Sequence, residues 1–566
     1  MLVYVILVPA YLITSLLIVD RRMFLMFGYT LATGIFILPF LYFLYAWVTG
    51  SIISDGMLLI LASILNATLL LYMIARHISH VTPRVGSYRN SAAFFIVCIL
   101  IFSLHLMNYQ GASEDYWSTY IVAGSMAIGG ENVDFRDING NERYDYQPTR
   151  KLRDNLIDEG RYGVITKDQR IGASIINAPF YVIGGVGAFR WIHAAVIVIG
   201  FLFMYALIRQ VTESSLIAYL GSGLLALNPL ILYFNRPNAN IIALAIITVM
   251  LYSLYSGESP FLTGLLLGSL GGVRNVAILL VPGLLALAIS GNNQDYRLRR
   301  LGIIVLGALV CIVPVLFWKS FAFGSIMAHP TQYEGLDGHR PEFTHSFFGL
   351  EFRFNGMFNY PFYESVVRTP HFPFPNFITM PLLVLKSLGY LLCTLCIIGL
   401  IFPKDTPSSL HISMIAAFLP FFLFLLIQEN WEELKSSFLL ICIPIITFFT
   451  SMGAYHLVRF RPERWLLSSV PVIMIILMVS VGSLQGFDVP EDTRWYERFP
   501  HARTSERANT TLLFDERLGW EYFYTGESRF ECERMRRHYL SISPFPSLYD
   551  DLSFHSSTPA DVKNNI

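Results

Sequence analysis

Charge is what this 566-residue chain has least of: Asp, Glu, Lys and Arg make up only 14% of it, against about a quarter in soluble globular proteins. A chain so poor in charge cannot turn most of its residues to water, which excludes a soluble enzyme and a disordered scaffold. Net charge is absent as well. The 40 basic and 40 acidic residues cancel, leaving no overall pull toward nucleic acid or anionic lipid. Cysteine is scarce: there are six, of which Cys98, Cys311, Cys393, Cys396 and Cys442 lie in apolar runs and only Cys532 in a polar stretch. That pattern excludes a disulfide framework. Cys393 and Cys396 form a C-x-x-C, but inside an apolar span they read as packing residues, since reactive thiols need a polar, partly exposed setting. Alternation of apolar and polar residues is missing too, which excludes a transmembrane β-barrel. No Walker A, dinucleotide or nucleotide-sugar motif and no internal repeat is visible.

What is present is apolar. Hydrophobic residues make up 54% of the chain and aromatics 14%, gathered in continuous runs of the roughly 20 residues that a helix needs to cross a bilayer. The runs fall at 1–19, 23–48, 52–75, 91–108, 189–208, 215–233, 238–255, 301–320, 379–402, 410–427, 437–458 and 465–484. A further 29-residue piece, 261–289, is too long for one span. Gly271, Gly272, Arg274 and Asn275 interrupt it, predicting two short helices with Arg274 at the tip. The fold class is therefore an all-α polytopic membrane protein with about 14 spans. Segment 1–19 reads as a span rather than a cleavable signal peptide, because its charges (Asp20, Arg21, Arg22) follow it instead of preceding it.

Orientation follows from the excess of Lys and Arg in cytoplasmic short loops. With the N-terminus outside, thirteen basic residues fall inside, among them Arg21, Arg22, Arg76, Arg209, Arg297 and Arg459. At most six fall in or near the short outer loops: Arg190, Arg236, Arg274, Lys319, Lys386 and Lys435. On this reading the three long polar segments, 109–187, 321–378 and 485–566, share the outer side, and that is where chemistry or recognition is expected. A transporter would instead place its polar groups in broken helices at the midplane.

The first long segment opens with the sequence from Asn108 to Ala123, in which Glu114 and Asp115 stand side by side close to the outer end of a span. A carboxylate at the lipid–water boundary can take a proton from an acceptor hydroxyl while a lipid-borne donor approaches from the side. The same two acids would also suit the first turn of a surface helix, where they complement the macrodipole. Arg274 likewise has two readings: a guanidinium holding phosphate oxygens, or a side chain snorkelling to the interface or paired with a carboxylate. Arg236, in Phe234-Asn-Arg-Pro-Asn238, and Lys435, in the loop from Glu429, read as interfacial charges or as further phosphate contacts.

The arrangement resembles the first outer loop of GT-C membrane glycosyltransferases, the relatives of protein mannosyltransferases and aminoarabinose transferases. In that family an acidic pair follows the first span of the catalytic module, with an Ala about eight and a Gly about fifteen residues on. Asp115, Ala123 and Gly130 match that pattern, as do Glu114 and Gly129 in a related spacing. The family writes Asp-Glu or Asp-Asp where this chain has Glu-Asp, so either Asp115 or Glu114 could be the base. The segments 131–137, 167–185, Leu262 to Pro282 and Phe347 to Pro361 are similar to later parts of the module, so the likeness covers about 90–380. The resemblance implies a GT-C-like module using a polyprenyl or dolichyl phosphate sugar. Asp115 or Glu114 would act as general base, and Arg274, Arg236 and Lys435 would bind the donor phosphate. The acceptor would be a protein, lipid or glycan. No cofactor is implied with certainty, a divalent metal stays open, and no nucleic acid partner is implied. The second acid that the family often carries near Arg236 is missing here.

Other features carry less. Residues 134–145 (DFRDINGNERYD) suggest calcium ligands, but the glycine comes too early for an EF-hand loop. His329, His339, His345 and His371 lack metal-site spacing. Phe372-Pro-Phe-Pro375 reads as an interfacial aromatic belt, and Asn509-Thr-Thr511 matches an N-glycosylation triplet. The expected organisation is accessory helices over 1–90, a GT-C-like catalytic module over 91–378 with outer loops 109–187 and 321–378, C-terminal helices over 379–484, and a polar outer tail, 485–566, able to form a small cap. The expected location is the cell (plasma or inner) membrane. Two competing functions are a transporter or flippase of lipid-linked sugars, with essential charges at the midplane, and a non-catalytic scaffold that would tolerate loss of both acids.

Overall fold

The computed structural model describes residues 1–18, 22–49, 53–75, 88–108, 134–137, 142–144, 171–184, 188–233, 235, 238–290, 294–323, 329–330, 343–344, 390–403, 406–427, 438–460, 510–515 and 520–525. Its helices, in chain order, begin with α1 (Val8–Leu17), α2 (Met23–Phe36), α3 (Leu38–Thr49), α4 (Asp55–Ala75) and α5 (Tyr88–Met107). Next come strands β1 (Asp134–Asp137) and β2 (Glu142–Tyr144), then α6 (Ile171–Gly184), α7 (Ala188–Thr212), α8 (Ser215–Ala226), α9 (Pro229–Tyr233), α10 (Ala239–Ser256), α11 (Pro260–Val273) and α12 (Val281–Ala288). The chain continues with α13 (Gln294–Phe323), β3 (His329–Pro330), β4 (Phe343–Thr344), α14 (Tyr390–Ile401), α15 (Ser408–Ile427), α16 (Ile443–Phe460), β5 (Thr510–Asp515) and β6 (Trp520–Thr525).

Among the described residues, seven helical stretches are long and apolar enough to cross a membrane: 23–46, 55–75, 188–212, 239–256, 297–317, 408–425 and 440–459. Shorter apolar helices stand beside them, among them 171–184, 215–226 and 260–273. This is a helical membrane protein. The expected span at 465–484 lies outside the described residues.

Local chemistry sets the helix ends. Asn238 caps α10 by accepting from the Asn240 N–H at 2.8 Å, and Gly257 ends it at φ +74°, a left-handed conformation that glycine adopts without strain. Ser259 caps α11, with Pro260 in its first turn. Pro39 follows the break between α2 and α3 at Ile37, where its missing N–H interrupts the ladder.

The helices divide by what surrounds them. In α10, 89% of the membrane-length window is buried in the bundle, against 28% in α4, whose Ile60, Ile64, Leu71 and Ile74 are exposed. In a bilayer such faces meet lipid at no cost, so α10 and α7 are central and α4 is peripheral. The helices before residue 90 do not all sit at the edge. Tyr29 of α2 stacks edge-on against Phe203 of α7, with ring centroids 4.7 Å apart, and Phe40 of α3 lies against Gly272 of α11.

Close helix contacts use glycine. A Cβ at Gly268 would stand 2.9 Å from the Ala308 carbonyl carbon and 3.0 Å from its Cα, and one at Gly264 would stand 2.9 Å from the Gly307 Cα. Helices α11 and α13 therefore touch backbone to backbone, as small residues permit in membranes. Gly399 of α14 and Gly453 of α16 form a second seam of this kind.

The first long segment ends sooner than expected. Residues 171–184, assigned to the outer loop 109–187, instead form α6, in which every residue from Ile171 to Val182 is buried. Its apolar run is shorter than a span, which hides it from a count based on length. The likeness to calcium ligands at 134–145 falls on β1 and β2, which pair antiparallel with Phe135 opposite Tyr144. β1 also pairs in parallel with β5, and β5 pairs antiparallel with β6, giving a sheet ordered β2-β1-β5-β6. The first long segment and the C-terminal tail thus share one sheet.

Candidate functional site

Contacts sort the helix ends into two sets. At one end, Arg22 Nη2 donates to the Tyr252 hydroxyl at 3.2 Å, and Arg300 donates to the carbonyls of Leu254 at 2.9 Å and Ala288 at 3.4 Å. At the other end, His105 meets Ala226 and Asn235, Gly172 meets Gly272, and Arg274 meets Phe438. The two ends differ in charge. Following helix direction, Arg22, Arg89, Arg209, Arg297, Arg299, Arg300 and Arg459 lie at the first end; Arg190, Arg274 and Lys319 lie toward the second. The chain leaves α5 for the first long segment, and α13 for the second, at that second end.

Arg274 occupies the predicted break. Its backbone is extended (φ −150°, ψ 108°), it closes α11 by donating its N–H to Leu270 at 2.9 Å, and a 3-10 turn, Asn275–Leu280, leads into α12. Gly271 and Gly272 weaken the helix just before it. The half-buried guanidinium lies over the Phe438 ring, with Cζ 4.7 Å from the centroid, within cation–π range. The planar N–H fork of a guanidinium suits two oxygens of a phosphate.

Glu114, Asp115, Arg236 and Lys435 lie outside the described residues. Their neighbours are placed. Asn108 ends the described stretch leading toward the acids, Asn235 immediately precedes Arg236, and Phe438 follows Lys435 by three positions. Asn235 is at the end where α5 finishes, through its contact with His105, and Phe438 is against Arg274.

The sequence reading missed a buried polar junction at this end. His105 and Asn235 are both fully buried. Asn235 Nδ2 donates to the His105 backbone carbonyl at 2.9 Å, and the single N–H of a neutral His105 ring serves either the Ala226 carbonyl, 2.8 Å from Nε2, or Asn235 Oδ1, 3.2 Å from Nδ1. His193 of α7, also buried, stands beside this pair. A signal for it existed: Asn228, Asn235, Asn238 and Asn240 crowd the short stretch where two apolar runs meet, and His105 interrupts the last turn of an apolar span. Polar groups within a membrane span are costly and signal a partner.

No group of three or more His, Cys, Asp or Glu side chains able to hold a metal occurs among the described residues. The Cys393/Cys396 pair lies on α14 with Cys393 buried, and Cys98, Cys311 and Cys442 are buried thiols. Comparison of the chain with family models, curated proteins and solved structures gives no match.

Proposed function

We propose that this chain is an integral-membrane glycosyltransferase that moves a sugar from a polyprenyl or dolichyl phosphate to an acceptor hydroxyl at the extracytoplasmic face. The observation that supports this reading most is Arg274: a guanidinium backed by Phe438 at a helix break, at the end of the bundle where the long segments begin. A lipid phosphate would present its charge at that level, with its chain among the lipid-facing helices. Asp115, or Glu114 beside it, takes the proton from the acceptor hydroxyl. The hydroxyl oxygen bonds to the anomeric carbon as the bond from that carbon to the phosphate oxygen breaks, with inversion. Arg274 neutralises the departing phosphate, with Arg236 and Lys435 as further cations.

The test uses purified full-length protein in nanodiscs, offered a panel of polyprenyl phosphate sugars with peptide, lipid and glycan acceptors. The expected result is donor consumption with release of lipid phosphate, lost in Asp115→Asn or in Glu114→Gln. Donor that crosses the bilayer of sealed vesicles unconsumed would favour the flippase. Full activity in both acid variants would remove the base assignment. Sidedness is checked with a membrane-impermeant thiol reagent on Met107→Cys in intact cells. Met107 is 76% exposed at the end of α5, and reaction only after permeabilisation would overturn the extracytoplasmic placement.

A further inference from the structure

We infer that the His105–Asn235–His193 junction is a positioning device, fixing the end of α5 against the connection between α9 and α10. Four elements meet in it: α5 through His105, α7 through His193, the end of α8 through the Ala226 carbonyl, and the connection through Asn235. Asn235 donates its amide N–H to the His105 backbone carbonyl, and its amide oxygen lies 3.2 Å from the ring of the same residue.

Packing alone does not call for these residues. At fully buried positions an apolar pair of similar volume would fill the space without bringing polar groups out of water. Hydrogen bonds between membrane helices are individually modest, about 1–2 kcal/mol at most, but they are directional, and His105 holds the one residue that precedes Arg236 through its backbone carbonyl at 2.9 Å while its ring lies 3.2 Å from the same amide. His105 stands three residues before Asn108, beyond which the chain runs on to Glu114 and Asp115. The junction thus ties together the two stretches that carry the proposed base and one proposed phosphate contact. A displacement of about 1 Å between reacting groups can cost about 100-fold in rate, so a directional clamp at this place has a catalytic consequence without touching substrate.

The activity part of this inference rests on the glycosyltransferase reading; the structural part does not. The experiment compares wild type with Asn235→Leu, His105→Leu, the double variant and His105→Gln, all full-length in nanodiscs. Hydrogen exchange read by mass spectrometry is expected to rise in peptides covering 101–108 and 226–240 in the Leu variants, with α13 and α16 unchanged. Donor turnover is expected to fall at least about tenfold in kcat, with donor KM moving less than about threefold. The double variant should lose no more than either single one, because the pair acts as a unit. His105→Gln, whose amide can donate to the Ala226 carbonyl, should recover part of the rate. Unchanged local exchange, or a loss spread over the whole bundle that His105→Gln does not relieve, overturns the clamp. If wild type consumes no donor at all, the glycosyltransferase reading falls, and the exchange data alone decide the junction. An active wild type with unaltered kcat in Asn235→Leu overturns the positioning role and leaves the glycosyltransferase standing.

Discussion

Replacing Gly268 by Ala tests the backbone seam between α11 and α13 and, through it, the placement of Arg274. The added methyl would stand 2.9 and 3.0 Å from backbone carbons of Ala308, where carbon atoms at contact sit about 3.5–4.0 Å apart. The obstacle is main chain, which has no rotamer to escape into, so the helices must part by roughly 0.5–1 Å. A gap of that size forfeits about a quarter to a half of each dispersion contact along the seam, and forced overpacking costs about 1–3 kcal/mol. Against this stands the gain in helix propensity from Gly to Ala, at most about 1 kcal/mol. The balance is destabilising. Gly302 lies on the same α13 with nothing within 4 Å of its would-be Cβ, so Gly302→Ala carries the propensity gain without the clash. Thermal denaturation of the detergent-solubilised protein, followed by the monomer peak in size-exclusion chromatography, should place Gly268→Ala below wild type and Gly302→Ala at or above it. Equal melting of the two variants would show that α11 and α13 do not meet backbone to backbone.

Other outcomes follow from the same contacts. Arg274→Ala should raise the donor KM about ten- to a hundredfold, the size of a lost hydrogen bond to a charged group of about 1.5–3 kcal/mol; Arg274→Lys should recover only part, since an ammonium lacks the planar fork. A kcat/KM that ignores both changes would remove Arg274 from the site. Arg300→Met should lower the melting temperature more than Arg299→Met, because Arg300 is buried and satisfies the Leu254 and Ala288 carbonyls whereas Arg299 is exposed. Equal shifts would refute that capping role. In the folded protein a maleimide should leave Cys98, Cys311, Cys393 and Cys442 unmodified by peptide mapping, as their burial requires; labelling at Cys393 would reopen a redox reading of its pair with Cys396.

The two levels of description failed in different places. The break at Arg274 was legible because Gly271, Gly272 and Asn275 are poor helix formers inside a run too long for one span, a local property. α6 was not legible. Its 14 residues are apolar but fall short of a bilayer's thickness, and only burial beside α11, with Gly172 against Gly272, shows that it belongs to the bundle. The polar junction was half legible: the crowded asparagines were visible, but that Asn235 meets His105, 130 positions earlier, is a fact of folding and not of spacing.

By itself the sequence determined that the chain lives in a membrane, that its spans are helices and that its charges gather at helix ends. Those outcomes depend on transfer of each residue between water and lipid, which is a property of composition along the chain. Tertiary structure alone decided which helices are central, where Phe438 underlies Arg274, and that the first long segment and the tail share a sheet. Lipid is as apolar as a leucine side chain, so hydrophobicity cannot rank one helix partner above another. Shape, glycine contacts and a few hydrogen bonds make that choice, and they exist only once the chain is folded.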